Sequence, residues 1–155
     1  KAVSGAVGGF TTGKKEIIEM LRQRSRPDLF SNSIPPMVAA AGVAMFNLID
    51  KTNDLQDKLH SNTDYFVAEM KKAGFDIKPT QSAICAVMLY DAKLSQDFAA
   101  ALQKEGIYVT GFYYPVVPKG QARIRVQVSA AHEKEHLDRC IAAFTKIGKE
   151  LGVIK

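Results

Sequence analysis

The 155 residues contain no tryptophan, only two cysteines and only three histidines. Cys85 and Cys140 lack any short metal-ligand spacing between them, so a zinc ribbon or a C-x-x-C redox motif is excluded. Both lie in apolar surroundings and read as buried small hydrophobes of a reducing compartment. His132 and His136 are spaced for one helix face, but no third ligand accompanies them, so no metal is expected. Long hydrophobic runs are also missing: nothing approaches a membrane span, and the N-terminus lacks the charged, apolar and cleavage-site order of a signal peptide. The net charge of +5 comes from basic residues spread along the chain and interleaved with acids, except around Arg22, Arg24 and Arg26. Without a nucleic-acid-binding signature this excess reads as a solvated surface.

What is present is an ordinary globular composition, 46% hydrophobic and 24% charged, in a chain long enough for one core or one core and part of another. Its most informative stretch is 112–132. Pro115 and Pro118 pin an aromatic loop, and Lys119-Gly120 supplies a turn. Ala122 to Val128 then alternates with period two, which predicts a strand with Arg123, Arg125 and Gln127 on one face and Ile124, Val126 and Val128 on the other. Ser129 stands as an N-cap for a last helix from about Glu133 to Leu151. Arginines beside a rigid loop suit a fixed fork for a carboxylate or phosphate; a half-exposed strand with its arginines in water fits the same pattern.

The rest of the chain alternates helices and strands. Gly8 to Gly13 reads as a short buried strand entering a turn, and Lys14 to Gln23 as an amphipathic helix ended by Arg26-Pro27. Phe30 to Pro36 is a polar loop, with Pro35-Pro36 opening the next helix. That helix, Met37 to Asn53, is apolar almost throughout and should be buried on most faces, linking two domains or lying under a sheet. Leu55 to Ala73 continues helical, with Leu55, Leu59, Phe66 and Met70 inward and Gly74 as the stop. Phe75 to Lys78 is a short edge strand, Ala83 to Leu89 a strand covered on both faces, Leu94 to Lys104 a helix closed by Gly106, and Ile107 to Thr110 a strand. Such alternation implies a small α+β sandwich with helices against one sheet.

Three blocks carry a resemblance: Tyr114-Pro-Val-Val-Pro-Lys-Gly-Gln-Ala-Arg-Ile-Arg125 followed by Ser129-Ala-Ala-His132, Leu21-Arg-Gln-Arg-Ser-Arg-Pro-Asp-Leu-Phe-Ser-Asn-Ser33, and Lys1-Ala-Val-Ser-Gly-Ala-Val-Gly-Gly9. Their order and spacing resemble the glycine C-acetyltransferases, or 2-amino-3-ketobutyrate coenzyme A ligases, of the α-oxoamine synthases, which use pyridoxal 5'-phosphate (PLP). The resemblance covers this whole chain but less than half of a family member. It implies an α/β, fold-type I PLP-dependent transferase, represented by the end of the large domain with a linking helix (1–52) and the small C-terminal α+β domain (53–155). It further implies condensation of glycine with acetyl-CoA to 2-amino-3-oxobutanoate, linked to threonine breakdown, in a homodimer of the cytoplasm or mitochondrial matrix.

By the same resemblance Lys1 falls on the catalytic lysine that carries PLP, and Ser31 and Asn32 on residues that reach the PLP phosphate of the neighbouring subunit. Arg125 falls on the arginine for the substrate carboxylate, while Arg123 is structural. Ser4 stands where a glycine is usual in the family. Other members of the group, the 5-aminolevulinate, 8-amino-7-oxononanoate and sphingoid-base synthases, share the chemistry and remain open. So does a non-catalytic dimerisation or binding module, should the protein be no longer than this chain.

Overall fold

A computed structural model describes residues 8–30 and 34–155. Lys1, Ser4, Ser31 and Asn32 therefore lie outside the described residues. The chain divides into two compact units, Lys1–Asn53 and Asp54–Lys155.

The first unit carries three helices, α1 (Lys15–Arg24), α2 (Arg26–Phe30) and α3 (Pro36–Ile49). Glu16 in the first turn of α1 and Arg22 and Arg24 in its last complement the helix dipole. The helix stops at Arg24, two residues before the expected break. Pro27 instead sits in the first turn of α2, where a missing N–H leaves no helical bond unmade. Residues 8–14 form no strand, and Phe10 is 64% exposed, because this unit offers no described strand for them to pair with. The burial expected of α3 is also overturned within its unit: none of its residues is buried, with Val43 61% and Phe46 51% exposed. Phe46 meets Phe10 edge-on at 5.6 Å, but the described residues of this unit offer too few neighbours to cover a helix apolar on most sides.

The second unit runs α4 (Asp54–Lys72), β1 (Ile77–Lys78), β2 (Ile84–Tyr90), α5 (Ala92–Lys104), β3 (Thr110–Phe112), β4 (Ala122–Gln127) and α6 (Lys134–Glu150). Its sheet has the order β1-β2-β4-β3, every pair antiparallel. Ala122, Ile124 and Val126 of β4 are buried beside Cys85 and Val87 of β2, and this face meets the three helices. Four phenylalanines, one from α4, one from α5, one from α6 and Phe75 from the turn before β1, form the centre. Phe98 and Phe144 have ring centroids 5.5 Å apart, Phe75 and Phe144 6.0 Å, and Phe66 and Phe144 6.3 Å. Each buried ring contributes about 1.5–3 kcal/mol, so this cluster outweighs any surface ion pair in the unit. No helix among the described residues is long and apolar enough to cross a membrane.

Several expectations shift here for local reasons. The strand after α5 begins at Thr110 instead of Ile107, because the Ile107 N–H closes α5 onto Leu102 O at 3.0 Å. Ser129 does not cap α6. Its hydroxyl accepts from Ala131 N–H, and the cap is Glu133, whose own N–H donates to Nδ1 of His136 at 3.0 Å while its side chain accepts from the His136 N–H. Leu55 faces out, 66% exposed, leaving Leu59, Phe66 and Met70 as the inner row of α4. The second face of β2 is only half covered: Met88 is buried, whereas Ile84 and Ala86 are not, since the register sets Met88 and Ala86 opposite Arg123 and Arg125. Asp91 starts α5 at Ala92 by accepting the Leu94 N–H at 2.7 Å.

Between α5 and the sheet the backbones approach closely. A Cβ on Gly111 of β3 would lie 2.7 Å from Ser95 O and 3.1 Å from Ser95 C, both backbone atoms of α5. Only glycine fits there. Gly111→Ala should destabilise the protein by roughly 1–3 kcal/mol, read as a lower urea midpoint with unchanged m-value. An unchanged midpoint would contradict this packing.

Acid sensitivity follows from how α6 is tied to its neighbours. Asp138 accepts from Tyr65 Oη at 2.5 Å and from Lys134 Nζ at 2.9 Å, and these two partners, the tyrosine first, hold its carboxyl below the usual carboxylate range. Lys58 acts likewise on Glu133. A carboxyl held low when folded adds stability above its unfolded pKa and loses it as pH falls through the folded value. The urea midpoint should therefore fall on acidification below about pH 4, and Asp138→Asn should make that fall shallower. Identical pH slopes for the two proteins would remove Asp138 from the account.

Candidate functional site

The outward face of the sheet in the second unit is built from alternate residues of its four strands, Lys78 of β1 among them. In β4 the period-two pattern turns Arg123, Arg125 and Gln127 away from the helices, as expected, with Arg125 and Gln127 exposed and Arg123 half-buried. Pairing sets Thr110 of β3 and Ala86 of β2 on either side of Arg125, and Phe112 and Met88 on either side of Arg123.

The two arginines are held differently. Arg123 donates from Nε to Gln121 O at 2.9 Å, which ties it to the turn that begins its own strand. Among the described residues, no carboxylate, carbonyl or hydroxyl takes the guanidinium of Arg125. Its Cζ instead lies 5.7 Å from the centroid of the Phe112 ring, within cation–π range. Arg125 is thus a permanent cation with no anionic partner among the described residues, while Arg123 is engaged in local structure.

The loop beside these residues is well closed. Val116 N–H reaches Tyr113 O at 2.9 Å, and Gln121 N–H reaches Pro118 O at 3.1 Å around Lys119-Gly120, with Gly120 at φ +71°. That left-handed conformation is one glycine adopts without strain. Lys119 Nζ lies 5.1 Å above the Tyr114 ring. Tyr90, Tyr113, Tyr114 and Lys119 line a shallow cavity of about 330 Å³ at this end of the sheet. Tyr90, at φ +65°, donates its hydroxyl to Asp76.

Two of the histidines and both cysteines are engaged or quenched. Nδ1 of His132 and of His136 accepts a backbone N–H, from Ser129 at 3.2 Å and Glu133 at 3.0 Å. Among the described residues no three metal-ligating side chains converge. Both cysteines are free, and burial pushes each thiol up to about 11, so neither is a thiolate nucleophile at neutral pH.

Of the four residues the sequence singled out, Arg125 is thus on the open face, and Lys1, Ser31 and Asn32 lie outside the described residues. Phe112 was missed. Its aromatic character was evident, but its closeness to Arg125 depends on the β3–β4 register, which periodicity within one strand does not reveal.

Comparison with known proteins adds an independent line. The family described as aminotransferase class I and II matches residues 1–144. The 2-amino-3-ketobutyrate coenzyme A ligase of Escherichia coli (strain K12) is 54% identical over 154 residues, 99% of this chain and 39% of that protein. Among solved structures, the Sphingomonas wittichii serine palmitoyltransferase superposes with a TM-score of 0.86 at 28% identity, over 98% of this chain and 39% of that one. A serine palmitoyltransferase from S. paucimobilis, solved with a bound PLP–myriocin species, superposes with a TM-score of 0.80 at 30% identity, over 88% of this chain and 35% of that one. The chain spans about two fifths of the length of the curated relatives it matches.

Proposed function

The chain belongs to the aminotransferase class I and II family, and from that premise we propose that it carries the C-terminal part of a PLP-dependent glycine C-acetyltransferase. In this reading residues 1–52 end the large cofactor-binding domain and residues 53–155 form the small domain. The active protein is a homodimer of a reducing compartment, cytoplasmic or mitochondrial, with its sites at the subunit interface. Its substrates are glycine and acetyl-CoA, and its products 2-amino-3-oxobutanoate and CoA.

The observation that carries the proposal is the guanidinium of Arg125, exposed on the outward face of the sheet and without a carboxylate or carbonyl partner among the described residues. A carboxylate accepts two parallel N–H bonds from such a fork, and glycine presents a carboxylate one bond from the carbon that reacts. The other donors suit the cofactor chemically: a lysine amine for its aldehyde, and a serine hydroxyl and an asparagine amide for its phosphate. When bound, PLP supplies the electron sink that lets the glycine Cα–H bond break heterolytically.

The chain's own residues do the rest. Arg125 fixes the carboxylate, and with it the direction of the Cα–H bond. Lys1 holds the cofactor, then takes the α-proton on Nζ as general base. The Cα electron pair would then bond to the acetyl carbonyl carbon as the thioester C–S bond breaks, and the proton taken by Lys1 would leave with CoA as its thiol. Ser31 and Asn32 would hold the phosphate of the cofactor in the neighbouring subunit.

Two measurements test this on a protein of the relatives' length that carries these residues. Borohydride reduction in the presence of PLP should leave a pyridoxyl label on the peptide containing Lys1; a label confined to other lysines would displace Lys1 from the site. Arg125→Ala should raise the glycine KM by roughly 10- to 150-fold, as expected for about 1.5–3 kcal/mol of charge-assisted bonding, with little change in acetyl-CoA KM. An unchanged glycine KM would sink the assignment of Arg125.

A further inference from the structure

We propose that Phe112 is a positioning residue for glycine recognition: its ring holds the Arg125 guanidinium in its binding orientation without occupying any of its N–H donors. The inference rests on the reading of Arg125 as the carboxylate-binding residue.

An exposed arginine samples many rotamers, and a carboxylate fork needs one of them. A protein carboxylate or carbonyl could fix the side chain, but it would compete with the substrate for the same N–H groups. On this sheet Arg123 shows that arrangement, with its Nε given to Gln121 O. Arg125 is handled otherwise. A ring face attracts the cation through its quadrupole without an oxygen taking its N–H groups, and among the described residues no oxygen acceptor is bonded to Arg125.

The fold fixes the ring as well as the arginine. Thr110 pairs with Arg125 and Phe112 with Arg123, so Phe112 is the diagonal cross-strand neighbour of Arg125, a position that aromatic and long side chains can bridge. Phe112 is half-buried, so its ring is partly anchored while one side remains open to the arginine. Gly111, immediately before it, lets β3 lie against the backbone of Ser95, which fixes where the ring emerges from the sheet. The device is thus built from three adjacent features of β3: pairing at Thr110, contact with α5 at Gly111, and the ring at Phe112.

The test compares Phe112→Leu, which keeps apolar bulk and removes the ring face, with Phe112→Tyr, which keeps the face. In a protein of the relatives' length, Phe112→Leu should raise the glycine KM about 3- to 10-fold with kcat changed less than about two-fold, and Phe112→Tyr should restore the KM. Adding Phe112→Leu to Arg125→Ala should raise the KM no further, since the ring acts only through that arginine. A second readout needs no cofactor. In NMR of the 155-residue chain, the Arg125 Cδ protons should show an upfield ring-current shift, kept in Phe112→Tyr and lost in Phe112→Leu.

A glycine KM unchanged by Phe112→Leu, in a protein where Arg125→Ala does raise it, would overturn the positioning role and leave the carboxylate assignment standing. Arg125→Ala without effect would remove the underlying reading itself. Should Phe112→Leu not fold, the wild-type spectrum decides: unshifted Arg125 Cδ protons would overturn the proposal.

Discussion

The antiparallel register of β4 between β2 and β3 is the constraint on which the second unit depends. Ile124 and Val126 must reach the phenylalanine cluster, and a side-chain period of two then leaves no choice about Arg123 and Arg125. A slip of one residue would bury two guanidinium groups among aromatic rings and expose the apolar row. The cost of burying unpaired charge is far larger than any ladder hydrogen bond gained, so the core itself selects the face on which the arginines appear. Core packing and the candidate site are set by the same strand.

That face distinguishes its two arginines by what lies across the ladder. The turn through Lys119 and Gly120 returns the Gln121 carbonyl to Arg123, while β3 brings only Thr110 and a ring to Arg125. A strand carrying two arginines in alternate positions thus gives one structural and one available guanidinium. The tight contact between Gly111 and Ser95 is part of this arrangement, since any outward movement of β3 would carry the ring away from Arg125.

Much of this was legible in the sequence. Strict alternation over Ala122 to Val128 fixed both faces of β4, and the spacing of Leu59, Phe66 and Met70 marked the inner row of α4. What eluded the pattern depended on competition for individual N–H groups or on pairing across strands. The Ile107 N–H belongs to the end of α5, which delays β3 to Thr110. The start of α6 uses an imidazole where a glutamate or glutamine is the usual partner, so Ser129 looked like the cap and Glu133 did not. The apolar character of α3 was plain, but burial is a property of neighbours, and its own unit supplies few. For the site, alternation showed two outward arginines and could not rank them; the resemblance singled out Arg125, and geometry supplied Phe112.

The measurement that bears most directly on the central claim is a crystal structure of the PLP-loaded protein, at the relatives' length, with glycine bound. The account predicts the glycine carboxylate paired side-on with the Arg125 guanidinium, the Phe112 ring against one face of that guanidinium, and Arg123 still on the Gln121 carbonyl. A carboxylate held by another cation, with Arg125 left in solvent, would contradict it.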